Sequence, residues 1–297
     1  MCCPAPPNRV HCRQERGGQR LRNTWAEQSM EVGSKEYSDA IEEAYNEDAL
    51  KCLDIVERDD FYGIVAADGM RFFGEKLGLT PRSHVLDLCS GIGGPARYLA
   101  KTYGCKVTGV DLSAFNHRTA LQRTKDAALD HLVHFVHSDA LTISFADETF
   151  THVFGGEAWC YFPDKLPLYQ SAFRLLKPGG TIAFLESACG ATVRLNAEEH
   201  LGAVHYESIA RYAAMLESAG FVSVTHNDTT ALACKDISDA MYRLITRRDR
   251  VVAAAGAETY YALLEIWAEF LSHFSQGTLT HCGFIARKPV RSVNGSR

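Results

Sequence analysis

The residues best suited to chemistry form a glycine-rich turn in the first third of the chain. Asp87-Leu88-Cys89-Ser90-Gly91-Ile92-Gly93-Gly94 lies between the apolar run HVLDLC and the helical stretch PARYLAKTY. Glycines at such a place let the backbone approach a ligand closely and turn sharply into the helix. Many α/β proteins have one such turn, so it predicts a ligand site without naming the ligand.

Two further acids follow apolar runs in the same part of the chain. Asp111 ends the run CKVTGVDL, and Asp139 follows LVHFVH. The carboxyl ends of parallel strands are where open α/β sheets bind ligands. An acid in the place of Asp111 can accept hydrogen bonds from both hydroxyls of a ribose, and Asp139 can meet an adenine amino group. These acids predict a nucleoside-containing ligand.

The elements that position these residues alternate between short apolar strands and helices. The predicted strands are HVLDLC, CKVTGVDL, LVHFVHSDA, FTHVFGG, TIAFLES, FVSVTHND and LTHCGFIARKP. A helix over about residues 164–176 ends at Lys177-Pro178-Gly179-Gly180, which is a stop signal. This alternation predicts an α/β fold with a doubly wound, mainly parallel, seven-stranded Rossmann-like sheet and a helical cap.

The pattern also suggests a division of the chain. We expect a disordered tail over 1–25, an N-terminal helical lid over 26–80, a core over 81–235 and 278–290, and a helical cap insertion over 236–277. The tail is rich in Pro, Gly and Arg, and an organelle-targeting function is its alternative. In the cap, Trp267, Phe270 and Phe274 recur at helical spacing, which predicts core packing rather than substrate contact.

Composition excludes several classes of function. The chain has 297 residues and a formal net charge of -5, which gives no reason to expect nucleic-acid binding. No apolar run is long enough to span a membrane. Ten cysteines without a CxxC pair favour a reduced, cytoplasmic protein. We expect no metal site, because the spacing of His131, His134 and His137 puts successive histidines on opposite faces of a strand. The oligomeric state is not predicted.

The motifs DLCSGIGG, GVDLS, HSDA, FGGEAW and LKPGG, in this order, resemble those of class I S-adenosylmethionine-dependent methyltransferases. The resemblance covers about residues 84–187 and is greatest for the branch with sterol, tocopherol, glycine/sarcosine and sugar methyltransferases. The main alternative is a nucleotide-binding dehydrogenase or another doubly wound protein, but the strict GxGxxG motif of the dehydrogenases is absent from this turn. The sequence departs from the family at Cys89-Ser90, where many members have Gly-Cys or Gly-Ser.

The resemblance implies S-adenosylmethionine as cofactor and assigns residues to its parts. In this assignment Asp87 holds the amino group, the glycine turn lies beside the methionine moiety, Asp111 binds the ribose, and Asp139 binds the adenine. The implied cofactor-binding residues are Tyr45, Asp87, Gly91, Gly93, Gly94, Asp111, Leu112, Asp139, Ala140 and Glu157. Among these, Glu157 is expected nearest the methyl group, and Tyr45 is expected to fold over the cofactor.

The small-molecule acceptor is expected beside the segment EAWCYFPD, which leaves the fourth strand. Glu157 and Tyr161 are the candidate catalytic residues, and Trp159, Tyr161 and His205 are the candidate substrate-binding residues. The aromatic side chains form either a wall around a cation or the packing of a lid. His205, with Tyr206 at a helix start, has a structural function as its alternative.

Three functions remain open for this chain. In the sugar and quinone branches a histidine often occupies the position of Tyr161, and its absence favours N-methylation of a small amine or amino-acid-like metabolite. Glu157 would attract such a cation. The first alternative is an O- or C-methyltransferase of a natural product with Tyr161 as base. The second is a catalytically inactive cofactor-binding protein.

Overall fold

The computed structural model describes residues 46–56, 61, 67–190, 193, 195 and 204–291. Its helices are α1 Glu47–Ile55, α2 Ala67–Leu77, α3 Gly94–Tyr103, α4 Ala114–Asp126, α5 Leu166–Leu175, α6 Ile209–Ser218, α7 Thr230–Thr246 and α8 Arg248–Gln276. Its strands are β1 His84–Leu88, β2 Lys106–Asp111, β3 Val133–His137, β4 Phe150–Gly156, β5 Leu176–Cys189, β6 Val222–Asp228 and β7 Leu279–Arg287.

The described strands form one seven-stranded sheet in the order β3-β2-β1-β4-β5-β7-β6. The neighbours from β3 to β5 pair in parallel, whereas β7 runs antiparallel to both β5 and β6. The predicted fold class is therefore confirmed. The order reverses beside β1, and the loops after β1 and β4 meet at this switch point, where such sheets bind ligands.

Both faces of the sheet are covered, because side chains alternate between them along each strand. Val85 faces a core shared with α1, α2, α3, α7 and α8. Leu86, the next residue, faces a second core shared with α5 and α6. The predicted stripe of Trp267, Phe270 and Phe274 is buried in the first core, so its packing function is confirmed.

The stop signal after α5 acts differently from the prediction. The helix ends at Leu175, but β5 begins at once with Leu176. Leu176 pairs with Phe150 and Thr181 pairs with His152, so the residues between them bulge out of the ladder. Proline cannot donate to a ladder and Gly179 has φ 78°, which explains a bulge inside the strand rather than a turn before it.

The segment between β6 and β7 is helical, but it is not one continuous helix. Helices α7 and α8 meet at Arg247, and Gly256 interrupts α8 with φ 86° and ψ 160°. Arg243 Nε donates to the carbonyl of Val56 at 2.7 Å, and Arg247 donates to the carbonyl of Ile55. These arginines satisfy carbonyls at the end of α1 and join α1 to α7. In the described ranges, no helix is long and apolar enough to cross a membrane.

Candidate functional site

The glycine turn follows β1 and has the backbone that its sequence requires. Gly91 has φ 53° and Gly93 has φ 80°, which are left-handed values that favour glycine. A Cβ on Gly93 would also lie 2.5 Å from the ring of Phe135. Gly94 is the first residue of α3. The turn therefore directs the backbone of residues 91–94 to the carboxyl edge of the sheet.

The departure at Cys89 has a structural cost. Cys89 has φ 63°, a conformation that costs a residue with a Cβ about 1–2 kcal/mol. A glycine at this position, which the family resemblance leads one to expect, would avoid that cost. Burial among Asp87, Asp111 and other acids raises the pKa of the Cys89 thiol well above its ordinary value, so the side chain is a neutral thiol.

Arg97 supports the turn from below and was missed by the sequence analysis. Its guanidinium is buried and donates to the carbonyl of Ile92 at 2.8 Å and to Thr124 Oγ1 at 3.3 Å. Burial lowers its pKa to about 10, so it remains charged at neutral pH. No sequence signal marks this function, because nothing in the spacing of the helical stretch PARYLA distinguishes Arg97 from an exposed arginine.

Asp111 accepts hydrogen bonds that fix its carboxylate at the end of β2. Its Oδ2 accepts from the Gly91 amide at 2.7 Å, and its Oδ1 accepts from the Ser113 amide at 3.0 Å and from Asn116 Nδ2 at 3.2 Å. Ser113 Oγ in turn caps α4 by accepting from the Asn116 amide. A carboxylate held this way is preorganised to accept from a pair of ribose hydroxyls.

Asp87 is the least solvated acid of this edge. Its side chain is 1% exposed, and Oδ2 has no hydrogen-bond partner in the described structure. Burial, followed by repulsion from Asp111, raises the pKa of Asp87 to about 8. A buried carboxyl oxygen without a donor fits a ligand that brings an ammonium group. The site therefore fits the amino-acid end and the ribose of S-adenosylmethionine.

The remaining predicted cofactor residues lie on the same edge, with one exception. Asp139 follows β3 and is partly exposed, with Oδ1 accepting from the Leu141 amide at 2.8 Å, and Ala140 beside it is buried. The carbonyl of Leu112 is hydrogen-bonded to His137 Nε2 at 2.8 Å. Tyr45 lies outside the described residues.

Glu157 lies just after β4 and is joined to a histidine that the sequence analysis missed. Its Oε1 is 2.6 Å from Nε2 of His281 on β7, and the two side chains are 6% and 0% exposed. His281 Nδ1 is 2.7 Å from Thr229 Oγ1. Glu157 has φ 58°, so the turn after β4 holds this residue in a strained conformation. Glu157 and His281 are 124 positions apart, and no local pattern links them.

The aromatic residues after Glu157 differ in their surroundings. Trp159 is 1% exposed, donates its indole N–H to the Leu88 carbonyl at 3.2 Å and packs against Tyr169 and Phe184. Phe162 is buried in the same core, whereas Tyr161 is partly exposed. For Trp159 and Phe162 this favours the packing alternative over an aromatic wall. Tyr161 is the ring of this group that solvent reaches.

His205 does not start a helix, and that prediction is wrong. Helix α6 begins at Ile209 with Ser208 as its cap, so His205 lies in the segment before it. The His205 amide donates to the Cys160 carbonyl at 2.7 Å. This contact places the backbone of His205 beside the segment that follows β4. The contact arises from the path of the chain before the helix, which the periodicity of the helix cannot reveal.

A buried lysine joins the same two segments. Lys165 Nζ donates to the carbonyls of Phe162, at 2.9 Å, and His205. Burial lowers the pKa of Lys165, while burial raises the pKa of the nearby Glu186 to about 8. Glu186 accepts from the Cys160 amide at 2.8 Å. These contacts fix, from the side of the core, the segment 160–165 that follows Glu157.

Comparison with known proteins agrees with this geometry. Residues 86–184 match the family described as a methyltransferase domain. Phosphoethanolamine N-methyltransferase 1 of Zea mays is 28% identical over 77% of this chain and 46% of its own length. The sarcosine/dimethylglycine N-methyltransferase of Halorhodospira halochloris is 30% identical over 63% of this chain and 65% of its own length. The chain spans about half the length of the first curated relatives that it matches.

Solved structures share the fold. The phosphoethanolamine N-methyltransferase 2 of Haemonchus contortus, in complex with phosphomonomethylethanolamine and S-adenosylhomocysteine, superposes with a TM-score of 0.77 at 20% identity. The superposition covers 85% of this chain and 60% of that one. The glycine turn and the acids Asp87, Asp111 and Asp139 all lie within residues 86–184, the range that matches the methyltransferase-domain family, and the proteins that this chain resembles include S-adenosylmethionine-dependent methyltransferases.

Proposed function

We propose that this chain transfers a methyl group from S-adenosylmethionine to the nitrogen of a small amine or amino-acid-like metabolite. The observation that carries the proposal is the carboxylate of Glu157, which lies 6% exposed at the carboxyl end of β4 and is held by His281. A carboxylate in a low-dielectric site attracts a cationic amine more strongly than one in water. The named N-methyltransferases among the relatives act on phosphoethanolamine, sarcosine and dimethylglycine, which are small amines.

The cofactor-binding residues keep the assignments given above. Asp87 pairs with the amino group, the backbone of residues 91–94 passes the methionine moiety, Asp111 binds the ribose, and Asp139 binds the adenine. The bound cofactor would supply an electrophilic methyl carbon: a nitrogen lone pair would form the N–C bond in line as the S–C bond breaks and a neutral thioether leaves. Because the leaving group is good, the protein mainly orients the acceptor and excludes water.

Glu157 orients the acceptor, and Tyr161 completes the wall beside it. Trp159 and Lys165 support this wall from the core rather than by touching the acceptor, and the backbone of His205 borders it. We also keep the division into lid (26–80), core (81–235 and 278–290) and cap (236–277) as part of the proposal. Its support is that α1 and α2 share a core with α7 and α8.

The test is methyl transfer from radiolabelled S-adenosylmethionine to a panel of acceptors. The panel contains sarcosine, glycine, dimethylglycine and phosphoethanolamine, with glycolate, phenols and a sterol as hydroxyl and carbon acceptors. We expect label in one or more amines. Glu157→Gln should raise the KM for that amine about 10- to 100-fold, which corresponds to the loss of one charge-assisted hydrogen bond. If Glu157→Gln leaves KM and turnover unchanged, the assignment of Glu157 is wrong.

The alternative of O- or C-methylation has one observation in its favour, which is the partly exposed phenol of Tyr161 beside the wall. Label in hydroxyl or carbon acceptors, together with a large loss of kcat in Tyr161→Phe at unchanged cofactor affinity, would establish it. Tight cofactor binding with no label in any acceptor of the panel would instead support the inactive cofactor-binding protein.

A further inference from the structure

His281, the histidine hydrogen-bonded to Glu157, is more deeply buried and makes more hydrogen bonds than packing of the core requires. His281 is 0% exposed, and both ring nitrogens are within hydrogen-bond distance of a side chain, Glu157 Oε1 at 2.6 Å and Thr229 Oγ1 at 2.7 Å. An apolar residue would fill this place in β7 without the desolvation of an imidazole. The arrangement therefore points to a function in the chemistry of Glu157.

The hydrogen bonds restrict where protons can lie. At 2.6 Å, one proton must lie between Glu157 Oε1 and His281 Nε2, since neither a carboxylate nor a bare ring nitrogen can donate. Thr229 Oγ1 can donate to His281 Nδ1, or it can turn and donate to the His281 carbonyl at 3.2 Å while accepting from Nδ1. The first arrangement suits a neutral ring and the second suits an imidazolium. The group can therefore take up one additional proton without losing a hydrogen bond.

We infer that Glu157 and His281 form a proton-accepting pair for the acceptor amine, with His281 as the positioning residue that holds Glu157 and shares the charge of the incoming proton. This inference rests on the proposed function. In the step, the N–H bond of the substrate ammonium breaks, its electron pair stays on nitrogen, and the proton binds to the pair. The neutral amine is then the nucleophile, and the pair later returns the proton to solvent.

The charges around the pair are compatible with this function. His281 is opposite Ser187 on β5, and the ring of Phe274 on α8 lies 6.3 Å away. On the strands that flank β7, Glu186 of β5 interacts electrostatically with Glu157, and Asp228 lies at the end of β6. Helices α7 and α8, which also pack against β7, carry further acids, among them the buried Asp236 and, shortly before Phe274, Glu269. Burial raises the pKa of Glu186 to about 8, so Glu186 is mostly neutral at pH 7.

The carboxylate of Asp228 is engaged by a backbone amide. Its Oδ1 accepts from the Thr230 amide at 2.8 Å, at the first turn of α7. The histidine of the pair therefore has Glu157 as its nearest acid within the described residues, at 2.6 Å. The proton taken from the acceptor is shared between one carboxylate and one imidazole.

Two substitutions at His281 separate the two hydrogen bonds. In His281→Gln the amide can replace Nε2 and donate to Glu157, but it cannot accept a proton. In His281→Asn the shorter amide replaces Nδ1 and reaches Thr229 alone. Thr229→Val removes the hydroxyl that adapts to the charge of the ring and keeps the shape. His226→Gln, on the exposed side of β6, is the matched control.

With sarcosine, or the amine of the panel that is methylated, we expect His281→Gln to keep KM within about twofold and to lower kcat about 100-fold. The acid limb of its kcat–pH profile should also move. His281→Asn should raise KM and lower kcat, Thr229→Val should lower kcat about tenfold, and His226→Gln should have the KM and kcat of the wild type. A merely structural histidine would instead be replaced by Gln without loss of kcat or change of the pH profile, and that result would overturn the inference.

A spectroscopic readout keeps the inference testable when no acceptor is methylated. In 15N-histidine-labelled protein with S-adenosylhomocysteine, we expect the Nε2 signal of His281 to move in Glu157→Gln, because the hydrogen-bond partner of Nε2 changes from a carboxylate to an amide. Equal affinity for S-adenosylhomocysteine in all variants shows that each is folded. An Nε2 signal of His281 at the same position in wild type and Glu157→Gln overturns the pair. Absence of label in every amine overturns the proposed function separately.

Discussion

The buried carboxyl of Asp87 predicts that cofactor binding releases a proton. With its pKa at about 8, roughly nine-tenths of free protein molecules carry a proton on Asp87 at pH 7. The ammonium group of S-adenosylmethionine supplies the opposite charge that this site lacks, so binding should lower the pKa of Asp87 well below 7. We therefore expect release of about 0.9 proton per cofactor bound at pH 7.

The measurement is isothermal titration calorimetry with S-adenosylmethionine and S-adenosylhomocysteine at pH 7, in phosphate, HEPES and Tris. Each buffer takes up the proton with a different enthalpy, so the slope of observed enthalpy against buffer ionisation enthalpy gives the number of protons. Asp87→Asn is the control, and it should give a slope near zero. Tight binding with a slope near zero in the wild type, or an equal slope in Asp87→Asn, would refute the reasoning.

The same shift predicts how the stability of the free protein changes with pH. A folded-state pKa raised from 3.8 to about 8 means that the contribution of Asp87 is fully present below about pH 4 and is lost between pH 4 and 8. At pH 7 the loss is about 4 kcal/mol, as an upper bound. Asp87→Asn should therefore unfold at a higher denaturant concentration than wild type, with a gain that grows from pH 5 to 8. A gain that does not depend on pH would contradict this account.

Three further substitutions test the turn, the ribose site and the wall. Asp111→Ala should weaken S-adenosylhomocysteine binding at least about tenfold, because charge-assisted hydrogen bonds to the ribose are lost, and unchanged calorimetric affinity would contradict the assignment. Cys89→Gly should raise the free energy of unfolding by about 1 kcal/mol by relieving a positive φ, as measured by urea denaturation, and a loss of stability would show that the thiol packs more than it strains. Gly155→Ala should cost about 1–3 kcal/mol in the same assay, because its Cβ would lie 2.2 Å from the Trp159 ring, and wild-type stability would mean that the ring can move.

The parts predicted well from sequence were those fixed by local pattern. The strand FTHVFGG is β4 from Phe150 to Gly156, as expected, because its apolar run is short and bounded by polar residues. The acids Asp87, Asp111 and Asp139 lie at the ends of their strands, since strand alternation places them there. What the bulge after Leu176 shows is that Pro and Gly mark an interruption without saying whether it lies before or inside a strand.

The parts that sequence could not predict depend on contacts between distant segments. His281 reaches Glu157 only because β7 inserts antiparallel between β5 and β6. Trp159 was a candidate for contact with the acceptor, but its ring packs into the core against Gly155. The absence of a Cβ on Gly155 leaves room for the ring, and the position of Trp159 in the sequence does not reveal this contact. Lys165 is buried because two carbonyls from separate segments converge on it. The spacing of residues along the chain does not predict such contacts between distant segments.

The position of β7 has a consequence for the order in which the protein acquires its properties. Apart from Tyr45 and Glu157, the residues assigned to the methyl donor come from one stretch, 87–140, whereas Glu157, Thr229 and His281 come together only when the last strand of the sheet is inserted. During synthesis, the donor-binding edge is therefore complete in sequence long before the acceptor side is. If the proposed acceptor side is correct, substitutions in β7 and its neighbours would change the acceptor without altering the residues assigned to the donor in 87–140.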